Sequence, residues 1–220
     1  MPLILSGFPF LTFKASIMSK QQIVLASGNK GKLAELQNAL DGFDVELIPQ
    51  SEFDVTDADE TGLSFIENAI LKARHASLAT GLPALADDSG LEVDALDGAP
   101  GIYSARYSIM DGETGPASDE KNNLKLLKAL KGVQPENRGA RFHCVLAYVR
   151  HAKDPNPLIC QGAWEGQIKT ELDGTGGFGY DPLFFIEALN CTSAQLSKEE
   201  KNKISHRGQA IEQLKQVFRL

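Results

Sequence analysis

The sequence has few cysteines, no long apolar run and no excess of basic residues. Its three cysteines are widely spaced and form no C-x-x-C pair, so neither a disulfide framework nor a cysteine-type zinc site is expected. No run of about 18 apolar residues occurs, which argues against a membrane span. The net charge of −7 argues against non-specific nucleic-acid binding, because such binders carry a basic field. A reducing, cytoplasmic location fits these features.

The composition is that of an ordinary globular domain. Hydrophobic residues make up 42% of the 220-residue chain, and a chain of this length normally forms one domain that buries about 70% of its unfolded surface. Residues 1–17 are apolar, but their positive charge, at Lys14, follows the apolar run instead of preceding it as in a signal peptide. We therefore expect Met18 to be the natural start, residues 1–17 to lie outside the fold, and residues 18–220 to form a single domain.

Apolar periodicity predicts strands alternating with helices in the first part of the chain and a hairpin in the second. A buried strand over 23–26 precedes a helix, and the longest helix covers about 63–80. The segments 141–149 and 158–164 alternate as two antiparallel strands would. This order of elements indicates a mixed α/β or α+β fold.

The first candidate for a chemical site is the segment Ser27-Gly28-Asn29-Lys30-Gly31-Lys32, between the first strand and its helix. A helix N-terminus offers unpaired N–H groups and a positive dipole end, so it binds phosphate well. The glycines allow close backbone approach, and the lysines add charge. The segment is not a Walker A loop, because G-x-x-x-x-G-K-[ST] does not occur. A plain strand-to-helix turn with solvated lysines is the alternative.

The second candidate is a pair of adjacent carboxylates, Asp87 and Asp88, placed at the end of a predicted strand over 84–86. Such carboxylates are costly beside a buried strand unless a cation or a donor pairs with them. Mg²⁺ takes one or two carboxylates and completes its shell with water and substrate phosphate. An acidic turn is the alternative. Asp59 and Glu60 can supply a further carboxylate, although an acidic loop also fits simple solvation.

Lys72 lies on the polar face of the longest predicted helix. Ser64, Asn68 and Lys72 lie one helical turn apart, on the face opposite the apolar residues. We therefore expect Lys72 on a polar face, where its removal leaves no cavity in the core.

Two later segments carry further candidate ligand-binding groups. The glycine-rich segment 176–182 holds Phe178 and Tyr180, whose rings can stack on a flat ligand or belong to the core. Lys201 and the run Ser205-His206-Arg207-Gly208 place donor groups near a helix start, where they suit an anion or a carbonyl acceptor. A Ser–His nucleophile is not expected, because neighbouring side chains on a helix diverge and no G-x-S-x-G occurs.

Taken in series, these segments resemble one family. The matching motifs are SGNxxK at 27–32, ETGxxFxENAxxKA at 60–73, ADDSGL at 86–91, GAPGIYSARY at 98–107, GGFGYDP at 176–182 and SHRG at 205–208. Over residues 22–218 the chain resembles the inosine/xanthosine triphosphate pyrophosphatase family, and its bacterial branch most closely. It differs in having Asp59-Glu60 where the family has Glu-Glu, and residues 1–17 have no counterpart there.

The resemblance implies an elongated, two-lobed α/β fold with a central mixed sheet flanked by helices and an active-site cleft between the lobes. It implies a homodimer that hydrolyses dITP, ITP and XTP to the monophosphate and pyrophosphate with Mg²⁺. The implied catalytic residues are Asp88 and Lys72, and the implied metal ligands are Asp88, Asp59 and Glu60. The implied substrate-binding residues are Ser27, Gly28, Asn29, Lys30, Gly31, Lys32, Ser89, Phe178, Gly179, Tyr180, Asp181, Lys201, His206 and Arg207.

The chemistry of the purine bases explains how such a site would select these substrates. Hypoxanthine and xanthine carry an oxygen at position 6, where adenine carries an amino group. Donors such as His206 and Arg207 would pair with the oxygen and oppose the amino group, which favours the former base. Two other functions stay open: a related pyrophosphatase acting on other modified nucleotides, and a nucleotide-binding regulator without turnover.

Overall fold

The computed structural model describes residues 20–27, 30–110, 112 and 115–218. The predicted extension over 1–17 lies outside the described residues, as do Gly28 and Asn29 of the predicted phosphate loop. Among the helices of the described part, none has the length and apolarity needed to cross a bilayer.

A mixed sheet forms the centre of the fold. Its strands in the described chain are β1 (Gln21–Ala26), β2 (Val45–Pro49), β3 (Ala84–Val93), β4 (Pro100–Gly101), β5 (Gly139–Val149), β6 (Leu158–Ile168), β7 (Phe184–Ile186) and β8 (Cys191–Thr192). Their order is β2-β1-β3-β5-β6-β7-β8, with β4 beside β3. β1 is parallel to β2 and β3, whereas β3, β5 and β6 pair antiparallel. The predicted hairpin and the mixed α/β class are confirmed.

Helices cover both faces of this sheet. They are α1 (Lys30–Ala39), α2 (Phe65–Thr80), α3 (Asp119–Ala129), α4 (Lys198–Ile204) and α5 (His206–Phe218). α1 and α5 share one core with odd-numbered residues of β1, while α2 packs on the even-numbered ones. α2 presents Ala69, Ala73 and Ala76 to the sheet, and these small side chains let the helix lie close to it. α3 packs in a separate core toward the far end of β5 and β6, so the two lobes have different cores.

The N-terminal end of α2 is fastened to the loop before it. Ser64 caps the helix, and Gly62 N donates to Asn68 Oδ1 at 2.8 Å. Asn68, which the sequence places on the polar face of the helix with Ser64 and Lys72, is fully buried. The preceding loop folds back over that face, and Lys72 consequently lies in the interior of a site instead of at a free surface.

β3 runs without interruption through the acidic pair, which corrects the predicted strand end at 86. β1 pairs with β3 over 84–86 and β4 pairs with it over 91–92, both on one edge. β5 pairs with the other edge over the whole of 84–93 and keeps the polar residues extended. On the first edge, residues 87–90 have no strand neighbour in the described part of the chain. The sheet therefore has a gap there.

Gly90 marks the point where the chain after β4 crosses β3. A Cβ atom at Gly90 would lie 2.5 Å from the carbonyl oxygen of Gly101 and 2.7 Å from Oγ of Ser104. Because only glycine leaves room for this approach, the segment around Ser104 lies directly on the strand that carries the acidic pair.

Candidate active site

A cavity of about 910 Å³ opens at the gap in the sheet. Most of the predicted site residues contribute to its lining, namely Ser27, Lys32, Asp59, Glu60, Lys72, Ser89, Phe178, Gly179, Tyr180, Asp181, Lys201, His206 and Arg207. Gly31 is exposed at the start of α1 and is not among the lining residues. The side chain of Lys30, like Gly28 and Asn29, lies outside the described part. The cavity thus joins segments that are far apart in the sequence.

Asp88 faces α2 and is joined there to Lys72. Lys72 Nζ donates to Asp88 Oδ1 at 2.6 Å and to Glu60 Oε1 at 3.1 Å. Burial raises the pKa of Asp88 above its usual value, and the nearby charge of Glu60 adds to this, although Lys72 opposes it. Burial lowers the pKa of Lys72, whereas the charge of Asp88 raises it, and the net shift is upward. The ammonium stays charged at neutral pH, and Asp88 takes up a proton more readily than an ordinary aspartate.

Asp87 points to the opposite face of β3, since successive side chains of a strand alternate. Its carboxylate is fully buried and accepts hydrogen bonds from Lys32, Ser89, Cys144 and Arg207. Although burial opposes ionisation, Lys32 and Arg207 hold the pKa of Asp87 well below its usual range. Arg207 Nη1 also donates to Glu35 Oε2 at 3.1 Å. Two carboxylates therefore engage the guanidinium that was expected to read the base.

We expect Asp87→Asn to lower the free energy of unfolding by about 3–5 kcal/mol, because buried Arg207 and partly buried Lys32 lose the charge of the carboxylate that they share. A carboxylate with a depressed folded pKa stabilises above its unfolded pKa, and this contribution disappears as the pH falls through the folded value. The loss of unfolding free energy relative to the wild type should therefore be largest at pH 7 and smaller in strong acid. Urea denaturation across pH measures it, with Asp41→Asn in an exposed turn as the charge-matched control. A deficit equal to that of the control would contradict the structural role.

Aromatic side chains and His206 line another part of the cavity. The His206 ring stacks on Phe142 with centroids 4.9 Å apart, and burial lowers the pKa of His206 well below its usual value, so the ring is neutral at pH 7. Its Nδ1 is buried and has no hydrogen-bond partner among the described residues. Phe178 is 46% exposed, with the Lys201 ammonium 4.9 Å from its ring centre. This end of the cavity suits a flat, partly polar group.

Tyr180 and Asp181 support the loop that presents Phe178. Asp181 Oδ2 accepts from the backbone N–H of Phe178 at 2.9 Å, and Lys201 pairs with the same carboxylate. The Tyr180 hydroxyl donates to the Ser104 carbonyl oxygen at 2.8 Å, and its ring is buried in the core. Tyr180 is therefore a core aromatic, whereas the ring of Phe178 is partly exposed in the lining of the cavity.

Asp88 and Glu60 are the residues best placed to hold a cation. Oδ2 of Asp88 is buried without a hydrogen-bond partner in the described part, and the ammonium of Lys72 lies between the two carboxylates. Within those same residues no group of three or more His, Cys, Asp or Glu side chains forms a ready metal centre. Mg²⁺ needs only one or two carboxylates when water and phosphate complete its shell, so the pair fits. Asp59 is exposed.

The chain is similar to known proteins over most of its length. The model of the Ham1 family matches residues 23–217. The chain belongs to the Ham1 family. It is 58% identical over 199 residues to the dITP/XTP pyrophosphatase of Shigella flexneri, across 90% of this chain and 98% of the relative. The enzyme of the same name from Escherichia coli K12 is 57% identical with the same coverage. The predicted family resemblance is therefore confirmed.

A solved Ham1 structure has the same fold. The HAM1 protein from Coxiella burnetii superposes with a TM-score of 0.84 at 52% identity, over 90% of this chain and 98% of that one. The Staphylococcus aureus Ham1 protein gives a TM-score of 0.80 at 42% identity, with the same coverage. The predicted central mixed sheet flanked by helices is thus confirmed.

Sequence reasoning missed two charged residues of this Ham1 site, Glu35 and Arg106. Glu35 lies on α1, one turn after Lys32. Its salt bridge is with Arg207, 172 positions away in the sequence, and local spacing cannot predict such a contact. Arg106 belongs to the motif at 98–107, which contributed to the resemblance but received no chemical role. The signal for Arg106 was present: it is a lone arginine inside a glycine-rich loop motif.

Proposed function

We propose that this chain hydrolyses dITP, ITP and XTP to the nucleoside monophosphate and pyrophosphate with Mg²⁺, and so keeps deaminated bases out of DNA and RNA. The observation that carries the proposal is one cavity with two unlike ends. Lys72 and Glu60 line one end, and Lys72 pairs there with Asp88; these groups suit a triphosphate. The other holds the exposed Phe178 ring and neutral His206, which suit a purine. The names of the relatives, dITP/XTP pyrophosphatase, support dITP and XTP as substrates.

Asp88 is proposed to orient the attacking water and take its proton while the water attacks the α-phosphorus. A positioned carboxylate acts as a general base in this way, and the raised pKa of Asp88 makes it a better proton acceptor. Lys72 and Lys32 would offset the negative charge that develops on the leaving pyrophosphate. Mg²⁺, held by Asp88 and Glu60 with phosphate oxygens, would supply further charge neutralisation there when bound.

Base recognition is proposed to involve His206. A buried nitrogen without a partner is unfavourable, and a bound oxygenated purine would remove that cost. The remaining predicted substrate contacts belong to the same proposal, namely Ser27, Gly28, Asn29, Lys30, Gly31, Ser89, Gly179, Tyr180, Asp181, Lys201 and Arg207. A homodimer, a cytoplasmic location and a single domain over 18–220 complete it.

A panel of nucleotides tests the proposed activity. With Mg²⁺ present, we expect kcat/KM for dITP and XTP to exceed that for dATP by about 100-fold or more, since hydrogen-bonding sites discriminate strongly. Pyrophosphate release is measured for each substrate, and removal of the metal with EDTA should abolish it. Faster turnover of pyrimidine or bulky triphosphates would favour the related pyrophosphatase instead. Tight nucleotide binding without turnover would favour the regulator.

A further inference from the structure

Arg106 is a cavity-lining cation to which the proposed reaction gives no task. It lies in the short helical segment Ser104–Ile109, which crosses β3 next to the acidic pair. Its Nη1 donates to Glu60 Oε2 at 2.6 Å, while the other oxygen of Glu60 accepts from Lys72. Glu60 therefore joins Arg106 to the lysine that pairs with Asp88.

The cations of the cavity differ in how far their side chains are covered. Exposed fractions are 17% for Lys32, 15% for Lys72, 15% for Lys201 and 6% for Arg207, against 33% for Arg106. Arg106 is thus the most accessible of these five to a ligand entering the cavity. Its other guanidinium nitrogens, Nε and Nη2, make no hydrogen bond to the described residues. A guanidinium carries its five N–H donors in a planar fork, so it can keep Glu60 on one side and bind an anion on another.

We propose that Arg106 binds the outer phosphates of the substrate and makes the site prefer a nucleoside triphosphate to a diphosphate. This rests on the proposed function, in which Asp88 marks the α-phosphorus. Lys72 bridges Asp88 and one oxygen of Glu60, and Arg106 binds the other oxygen of Glu60. Arg106 contacts Glu60 and not Asp88, so within the same cavity it is available to phosphates beyond the one that is attacked. Arginine suits them because its fork matches phosphate geometry.

The first test compares dITP with dIDP in Arg106→Ala and Arg106→Lys. We expect Arg106→Ala to raise KM for dITP by about 10-fold to 100-fold, the loss typical of a charge-assisted hydrogen bond. Turnover of dIDP should change little, so the preference for the triphosphate shrinks, and lysine should restore part of it. Arg141→Ala is the matched control, because Arg141 is similarly exposed and pairs with Asp94 and Glu165 outside the cavity. Equal losses for dITP and dIDP would overturn the proposal.

The second test separates direct binding from positioning of Glu60. If Arg106 only holds Glu60, Arg106→Ala adds no further defect in a Glu60→Gln background, whereas direct contact predicts that the dITP defect persists there. Calorimetric binding of inorganic pyrophosphate gives a readout without turnover, and we expect it to weaken about 10-fold in Arg106→Ala. Weaker pyrophosphate binding together with an inert wild-type protein would support the phosphate site and reject the proposed reaction. Unchanged pyrophosphate affinity would reject Arg106 as a phosphate ligand.

Discussion

Asp88→Asn is expected to reduce kcat for dITP by at least 10²-fold, the usual contribution of a general base, while the protein remains folded. The amide is nearly isosteric and can still accept a hydrogen bond from Lys72, but it cannot take a proton or carry the charge that would hold Mg²⁺. Because burial raises the pKa of Asp88, wild-type kcat should fall as the pH drops through that raised value. Steady-state rates at saturating Mg²⁺ across pH measure both effects, and the acid limb should be absent from the residual activity of the variant.

The control for this variant lies just beyond the same strand. Asp94 follows β3, is 53% exposed and pairs with Arg141 away from the cavity, so Asp94→Asn removes a charge without touching the site. Its kcat should match that of the wild type. Near-normal turnover in Asp88→Asn would instead move the base to the Asp59-Glu60 pair.

Lys72→Ala is expected to lower kcat/KM for dITP by about 10²-fold to 10³-fold, the range found when one preorganised donor to a transition-state charge is removed. The free energy of unfolding should fall by much less than the free-energy equivalent of this activity loss. The reason is that Asp88, without its cationic partner, can take up a proton. The raised pKa of Lys72 means that its ion pairs stabilise below the unfolded pKa and lose this effect as the pH rises through the folded value. Kinetics and urea denaturation at pH 7 and at high pH measure the two quantities.

The melting temperature tests whether a metal cation can take the place of the Lys72 ammonium. Without the ammonium, Asp88 and Glu60 face each other directly, so Mg²⁺ should raise the melting temperature of Lys72→Ala more than that of the wild type. Lys128→Ala, at an exposed position of α3, serves as the control. An inactive variant that is also several kcal/mol less stable, with no response to Mg²⁺, would make Lys72 a structural ion-pair partner only.

The elements could be predicted from the sequence because their signals are local. Leu36 and Leu40 mark the buried face of α1, and Ser118 and Ser197 cap the helices that follow them. The path of the chain through the acidic pair could not be predicted. Two aspartates, a serine and a glycine together indicate a turn, and only hydrogen bonding to β5, more than fifty residues later, keeps them extended.

The candidate site was predicted as a set of residues but not as a set of partners. Asp87 and Asp88 were treated as one acidic pair that needs a cation or a donor, yet the strand directs them to opposite faces, with Arg207 and Lys72 as separate partners. Contacts between residues 120 positions apart, such as that of Arg207 with Asp87, depend on the sheet order. Nothing in local spacing encodes that order.

The gap in the sheet also bears on solubility. An unpaired strand edge is a template on which another chain can add a strand and start aggregation. Residues 87–90 present such an edge, but β1 and β4 bound it on either side, so the opening is shorter than the five or six residues of a typical strand. A small ligand can approach the part of β3 that lacks a strand neighbour among the described residues, whereas an incoming strand would collide with β1 or β4. Within the described part of the chain, the fold thus opens β3 to the cavity without exposing an edge long enough for a second chain to attach.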